Sequence, residues 1–332
     1  MTRPLIGITM GDPAGVGPEL CIRAATDPEI LSICRPVIFG NSWVLADVCR
    51  ATETKVSLTS LPHVEAMVGD GYDLGSIVPT TDSVYIFQAD SVDSTVVEAM
   101  QPGEINADTG KLSFDCVEYA IDTAIAGHIA GVVTCPIHKE AWHQAGIKYP
   151  GHTEVFAQKT STDEFCMLMT SPLISCALVT CHVGLADVMH ELTTERILRV
   201  IRLLNDSLTK TLNQPPRLIA LGLNPHAGEN GLFGNREEQT IIQPAIDQAR
   251  SLGIHVDGPV PPDTAFVPAK LDEYDGHVCM YHDQGLIPFK ALALDTGVNT
   301  TLGLPIIRTS VCLLYTSPSP RDATLSRMPS SA

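Results

Sequence analysis

The chain has 332 residues, 44% hydrophobic and 18% charged, with a formal net charge of -17. That composition is globular and the length suffices for two domains or one large α/β unit. The acidic balance argues against nucleic acid and anionic membrane, since neutralising phosphate needs clustered Lys and Arg, and no apolar run approaches the ~20 residues that span a bilayer.

The first residues, Met1-Thr-Arg-Pro-Leu-Ile-Gly-Ile-Thr-Met10, carry one basic residue and then alternate as a strand, unlike a signal peptide. Gly11-Asp-Pro-Ala-Gly-Val-Gly-Pro-Glu19 follows and leads into a helix through Ala25, with Pro18 suited to a first helical position. It lacks the Gly-Lys-Ser/Thr ending of a nucleotide P-loop and the GxGxxG spacing, so it reads equally as a strand-to-helix turn. Pro36–Gly40 is a second strand, with a helix from Ser42; residues 54–82 carry little signal. Leu112, Cys116, Ala120 and Ala124 share a face and predict a helix over Leu112–Gly127, before a buried strand at Ile129–Thr134. Thr193–Leu204 is an amphipathic helix with a threonine available as cap, and Arg236–Leu252 is another, kinked or restarted at Pro244. Strands alternating with helices imply an α/β fold with a largely parallel sheet. Residues 312–332 hold three prolines and five serines without periodicity and read as a disordered tail.

Ten cysteines form no CxxC pair, and several, such as Cys166, Cys176 and Cys279, lie in apolar runs. This argues against a disulfide framework and zinc ribbons, and a reducing cytoplasm is the default location. Three histidines share one context: His182, His226 and His282 each follow a strand-like apolar run. Ligands bind beyond strand C-termini in open α/β sheets. Three imidazoles with an open fourth position form a catalytic metal site, and three separate loop histidines are the plainer alternative.

Tyr149-Pro-Gly-His-Thr-Glu154 places His152 and Thr153 at a helix start, where backbone N–H groups suit an anion; Thr153 reads equally as a simple cap. Thr134-Cys-Pro-Ile-His-Lys139 ends a strand near that region, and His138 and Lys139 read equally as surface residues. Asp283, Lys290, Asn299 and Arg308 follow His282 closely, and two cations in an acidic chain point to a phosphate or carboxylate clamp. Asp263 follows a proline pair and also fits a turn.

Taken in order, Gly11–Glu19, Pro136-Ile-His-Lys139, Gly151-His-Thr-Glu154, Asn224-Pro-His-Ala-Gly-Glu229, Tyr281-His-Asp-Gln-Gly285 and Gly303-Leu-Pro-Ile-Ile-Arg-Thr-Ser310 resemble the 4-hydroxythreonine-4-phosphate dehydrogenase family, including its branch acting on four-carbon sugar-acid phosphates. The resemblance implies a two-domain fold like isocitrate and isopropylmalate dehydrogenases, with a cleft between domains, in a homodimer whose active site is shared between subunits. The expected domains are residues 1–135 plus about 300–311, and residues 136–299. The resemblance implies a divalent metal (Zn, Mg or Co) held by His182, His226 and His282, and NAD or NADP as hydride acceptor. It implies substrate contacts from His152, Thr153, Lys290, Asn299 and Arg308, with Lys290, Asp263 and Asp283 as catalytic candidates; it assigns no role to His138.

The implied reaction oxidises 4-hydroxythreonine 4-phosphate and decarboxylates the product to 3-amino-2-oxopropyl phosphate. The alternative substrate is D-threonate or D-erythronate 4-phosphate, giving dihydroxyacetone phosphate, towards which Ile287-Pro-Phe-Lys290 and Lys148-Tyr-Pro-Gly151 lean. Relatives continue past Val311 with an Asp-His-Gly-Thr-Ala segment resembling an adenosine-binding loop; here Cys312–Ala332 stands instead and reads as a non-native addition to a truncated chain. A fragment that binds metal and substrate without NAD, and a metallohydrolase using three histidines, are the competing readings.

Overall fold

The protein is seen here as a computed structural model that describes residues 3–89 and 92–311. The expected disordered tail, 312–332, lies outside them. In chain order the strands are β1 (Leu5–Thr9), β2 (Arg35–Gly40), β3 (Ser57–Leu61), β4 (Ser83–Gln88), β5 (Gly131–Thr134), β6 (Cys166–Thr170), β7 (Ser175–Leu178), β8 (Leu218–Leu221), β9 (Val256–Val260), β10 (Gly276–Cys279), β11 (Val298–Leu302) and β12 (Arg308–Val311). Two compact units result: one runs through Thr162 and resumes at Pro305, and the other is Asp163–Leu304.

The first unit has strand order β3-β4-β2-β1-β5-β12, parallel throughout. Its central strands are continuous apolar runs, with Val37, Ile38 and Phe39 fully buried, as a sheet covered on both faces requires. The glycine-rich stretch after β1 is a strand-to-helix turn. Gly11 has φ +71°, and the Asp12 N–H donates to the Pro136 carbonyl at 2.8 Å. A Cβ at Gly11 would collide with that same carbonyl, and one at Gly17 with the Met10 carbonyl. The turn therefore packs against the segment leaving β5.

The long helix of this unit is Ala107–Ile125. It starts earlier than the apolar spacing predicts because Asn106 builds a capping box. Its Oδ1 accepts from the Thr109 N–H at 2.9 Å, and its own N–H donates to Thr109 Oγ1 at 3.4 Å. Helices Lys139–Gln144 and His152–Lys159 pack onto it. Trp142, fully buried, donates its indole N–H to Ser113 Oγ at 3.3 Å. Phe114 meets Trp142 edge-on at 5.3 Å and stacks on Tyr149 at 5.8 Å. These contacts draw residues 136–162 into the first unit, so the division falls after Thr162 where the expected boundary was residue 135. The return lies at Pro305, later than about residue 300, because β11 pairs with β6 (Asn299 opposite Met169).

The second unit has strand order β11-β6-β7-β10-β8-β9. Strand β6 is antiparallel to both neighbours, and β7, β10, β8 and β9 are parallel. Helix Thr194–Leu212 covers the sheet with Ile197, Val200, Ile201, Leu204 and Leu208, its first turn capped by Thr193, whose Oγ1 accepts from the Arg196 N–H at 3.2 Å. The predicted break at Pro244 is a wide turn at Glu238–Ile242, followed by helix Gln243–Ser251 with proline in its first turn. The expected α/β class is met in both units.

Candidate active site

Strands β7, β10 and β8 are consecutive neighbours, with Leu178 opposite Cys279 and Ala220 opposite Val278. Being parallel, they end at one edge, and the segments leaving them carry His182, His282 and His226. Strand β9 runs parallel beside β8, so the turn holding Asp263, closed by the Thr264 N–H on the Pro261 carbonyl at 3.2 Å, belongs to the same edge.

The ring centroids of His182 and His282 lie 5.8 Å apart. His282 opens helix His282–Ala293, and its Nδ1 is 2.7 Å from the Asp283 carboxylate. A carboxylate on Nδ1 selects the tautomer that leaves Nε2 as a metal donor. His226 stands apart. Residues 226–230 all have positive φ (53°, 49°, 75°, 39° and 57°), a left-handed turn that carries the exposed imidazole to within 6.0 Å of the Phe233 ring centroid. Among the described residues no three His, Cys, Asp or Glu side chains form a group ready to hold a metal. The topology thus brings three histidines to one edge, and the side chains bring two of them together. The paired imidazoles, one backed by a carboxylate, fit a divalent cation; the third donor is not in place. Lys290 is half-buried on the His282 helix, and Asn299 on β11 keeps a buried Oδ1 with no hydrogen-bond donor.

A second cluster lies in the first unit. Arg308, at the start of β12, is buried; its Nη2 donates to Thr134 Oγ1 on β5 at 2.9 Å, and its guanidinium lies 5.7 Å over the Phe156 ring. Burial pushes its pKa down to about 10, against the pull of Glu154. His152 is the first residue of its helix and rests edge-on against Trp142 at 5.7 Å. Gly151 is the cap, so Thr153 is a first-turn residue and the plain capping role is not its own. His152 Nε2 is buried without a hydrogen-bond partner. Burial above all, then Arg308 and Lys139, hold this imidazole well below its ordinary pKa, so it is neutral at pH 7.

A buried guanidinium, a neutral imidazole with an unused nitrogen and the N–H groups of a first helical turn are groups able to bind a phosphate or carboxylate. Lys139, left without a role by sequence reasoning, belongs with them: its Cε lies 3.9 Å from where a Cβ on Gly151 would stand. Only its nearness to Gly151-His-Thr-Glu154 in the fold marks it, since the intervening residues read as an ordinary helix. Also missed were Thr180, Glu237, Glu238 and Gln284, polar residues buried beneath the histidine edge.

Comparison with known proteins bears on the family and the fold. The family model described as "Pyridoxal phosphate biosynthetic protein PdxA" matches residues 32–313. The chain is 43% identical, over 93% of its length and 87% of the relative's, to a 4-hydroxythreonine-4-phosphate dehydrogenase of Desulforapulum autotrophicum. It is 37% identical, over 93% of its length and 88% of the relative's, to a D-threonate 4-phosphate dehydrogenase of Cupriavidus necator. The crystal structure of a 4-hydroxythreonine-4-phosphate dehydrogenase from Klebsiella pneumoniae superposes with a TM-score of 0.80 at 36% identity, covering 93% of this chain and 90% of that one. Motifs, fold and relatives converge, and the chain belongs to the PdxA family of pyridoxal phosphate biosynthetic proteins.

Proposed function

We propose that the chain is an NAD(P)- and divalent-metal-dependent dehydrogenase that oxidises the secondary alcohol of 4-hydroxythreonine 4-phosphate and releases CO2, leaving 3-amino-2-oxopropyl phosphate. One observation carries the reading. A chain with net charge -17 gathers Arg308, Lys139 and a neutral, unpartnered His152 in one place, which suits the phosphate of a small anionic substrate. The dehydrogenase names of the relatives at about 40% identity support it.

In this reading His152, Thr153 and Arg308 bind substrate, together with Lys290 and Asn299. His182 and His282 hold the cation, with His226 completing the set. When bound, the cation would supply Lewis-acid stabilisation of charge on the substrate oxygen and the nicotinamide would accept the hydride. Lys290, Asp263 or Asp283 would take the hydroxyl proton and return one to the carbon that loses CO2, so that charge and protons balance across the two steps. The enzyme works as a homodimer in the cytoplasm; its thiols at Cys116, Cys166 and Cys279 are buried in apolar surroundings, where cysteine serves as a small hydrophobe.

The D-threonate 4-phosphate reading is favoured by the Cupriavidus relative, and it differs only in the substituent beside the carboxylate. A panel of both substrates separates the two, and formation of reduced nucleotide separates either from a non-catalytic fragment. Arg308→Met tests the anion receptor. Losing a hydrogen bond to a charged group costs about 1.5–3 kcal/mol, so KM rises about tenfold to a hundredfold. An unchanged KM would refute the phosphate assignment.

A further inference from the structure

The first unit brings a short row of hydroxyls to the carboxyl ends of its neighbouring strands. Thr9 ends β1, Thr134 ends β5 and Ser310 lies on β12. The parallel register sets Thr9 opposite Thr134 and Thr134 opposite Ser310, so the three share one face of the sheet. Arg308 is opposite Val132, one step earlier on that same face. Its bond to Thr134 Oγ1, at 2.9 Å, therefore crosses to the next strand and runs towards the carboxyl edge, where open parallel sheets bind their ligands.

Thr134 is buried, and its hydroxyl is committed on both sides. It donates to the Thr309 carbonyl at 3.3 Å, which turns its oxygen lone pairs to the Arg308 Nη2. The guanidinium carbon stands 5.7 Å from the centre of the Phe156 ring, and Phe156 lies one helical turn along from His152. A hydroxyl from β5 and a ring from the helix His152–Lys159 thus hold one cation. Thr9, buried in the same row, differs: its Oγ1 has no hydrogen-bond partner.

An arginine side chain free to rotate loses that freedom when it meets an anion, and holding it beforehand removes the cost from binding. We propose that Thr134 is a positioning residue for Arg308: its hydroxyl sets the guanidinium at the carboxyl edge of β5 and β12, in the place from which it binds the substrate phosphate. This rests on the anion reading of Arg308 given above. A packing role predicts that any side chain of the same shape serves equally. A positioning role needs the hydroxyl.

The test is calorimetric titration of the full chain with 4-hydroxythreonine 4-phosphate and D-threonate 4-phosphate, which share the phosphate, with thermal unfolding as a check on folding. Thr134→Val, which keeps the shape and loses the hydroxyl, weakens binding about threefold to tenfold, the loss for a typical hydrogen bond. Thr134→Ser, which returns the hydroxyl, recovers most of it. Added to Arg308→Met, Thr134→Val costs nothing further, because the two groups act through one bond. Thr9→Val, the same change one strand over, leaves the affinity unchanged. Thr134→Ala carries the test if Thr134→Val fails to fold. Parent affinity in the variant lacking the hydroxyl, with Arg308→Met weakened, overturns the positioning role alone, as does a Thr134→Ser variant or a Thr9→Val variant as weak as Thr134→Val. Parent affinity in Arg308→Met, or a parent that binds neither compound, overturns the anion reading and the positioning role with it.

Discussion

His152 is neutral because of where the fold puts it, and that has a measurable cost. Its folded pKa lies below the ordinary value of about 6.5, so below that pH the unfolded chain binds more protons than the folded one. Its contribution to stability is therefore complete above about pH 6.5 and is lost as pH falls below it, by at most about 1.4 kcal/mol per pH unit. Urea unfolding at about pH 7.5 and about pH 5.5 reads this loss, and His152→Leu reduces it. The slope does not vanish, since burial lowers His277 in the second unit as well. An equal slope in the variant would contradict the neutral-imidazole account. At this scale part of the candidate site was legible: His152, Arg308, His182 and His282 lie next to strand or helix ends, where the fold brings His182 to His282 and Arg308 towards His152. Lys139 was not, because what marks it is its nearness in the fold to Gly151, 12 residues away in the chain.

At the scale of elements, Gly110 decides how the first unit is put together. A Cβ there would collide with the Ala141 carbonyl, so the helix Ala107–Ile125 and the segment leading to His152 touch backbone to backbone. Gly110→Val is expected to destabilise the protein by about 1–3 kcal/mol through overpacking, seen as a lower urea midpoint with unchanged slope. It should also raise KM more than it changes kcat, because the helix it displaces, Lys139–Gln144, carries Lys139 and leads towards His152. A variant as stable as the parent would show that the helices can separate at no cost. The helices were read well because periodicity and caps are local signals, as at Thr193 and Pro244. The unit boundary was read less well. What binds residues 136–162 to the first unit is Trp142 on Ser113 and Phe114, a long-range contact with no local trace. The antiparallel placement of β6 was likewise invisible, since a short buried strand looks alike in either direction.

At the scale of the whole molecule, the proposed dehydrogenase would draw on groups from each unit. The first brings Arg308, His152 and Lys139 together; the second carries three histidines, Asp283 and Asp263 on segments that leave parallel strands. The central claim is that the two parts serve one dehydrogenase. Its most direct test is nucleotide reduction, followed by near-ultraviolet absorbance, with the full chain, NAD+ or NADP+, and 4-hydroxythreonine 4-phosphate or D-threonate 4-phosphate. The account predicts reduced nucleotide with at least one of the two substrates, abolished by chelation and restored by a divalent cation. Absence of reduced nucleotide with both substrates under saturating cation, or undiminished turnover after chelation, would contradict it.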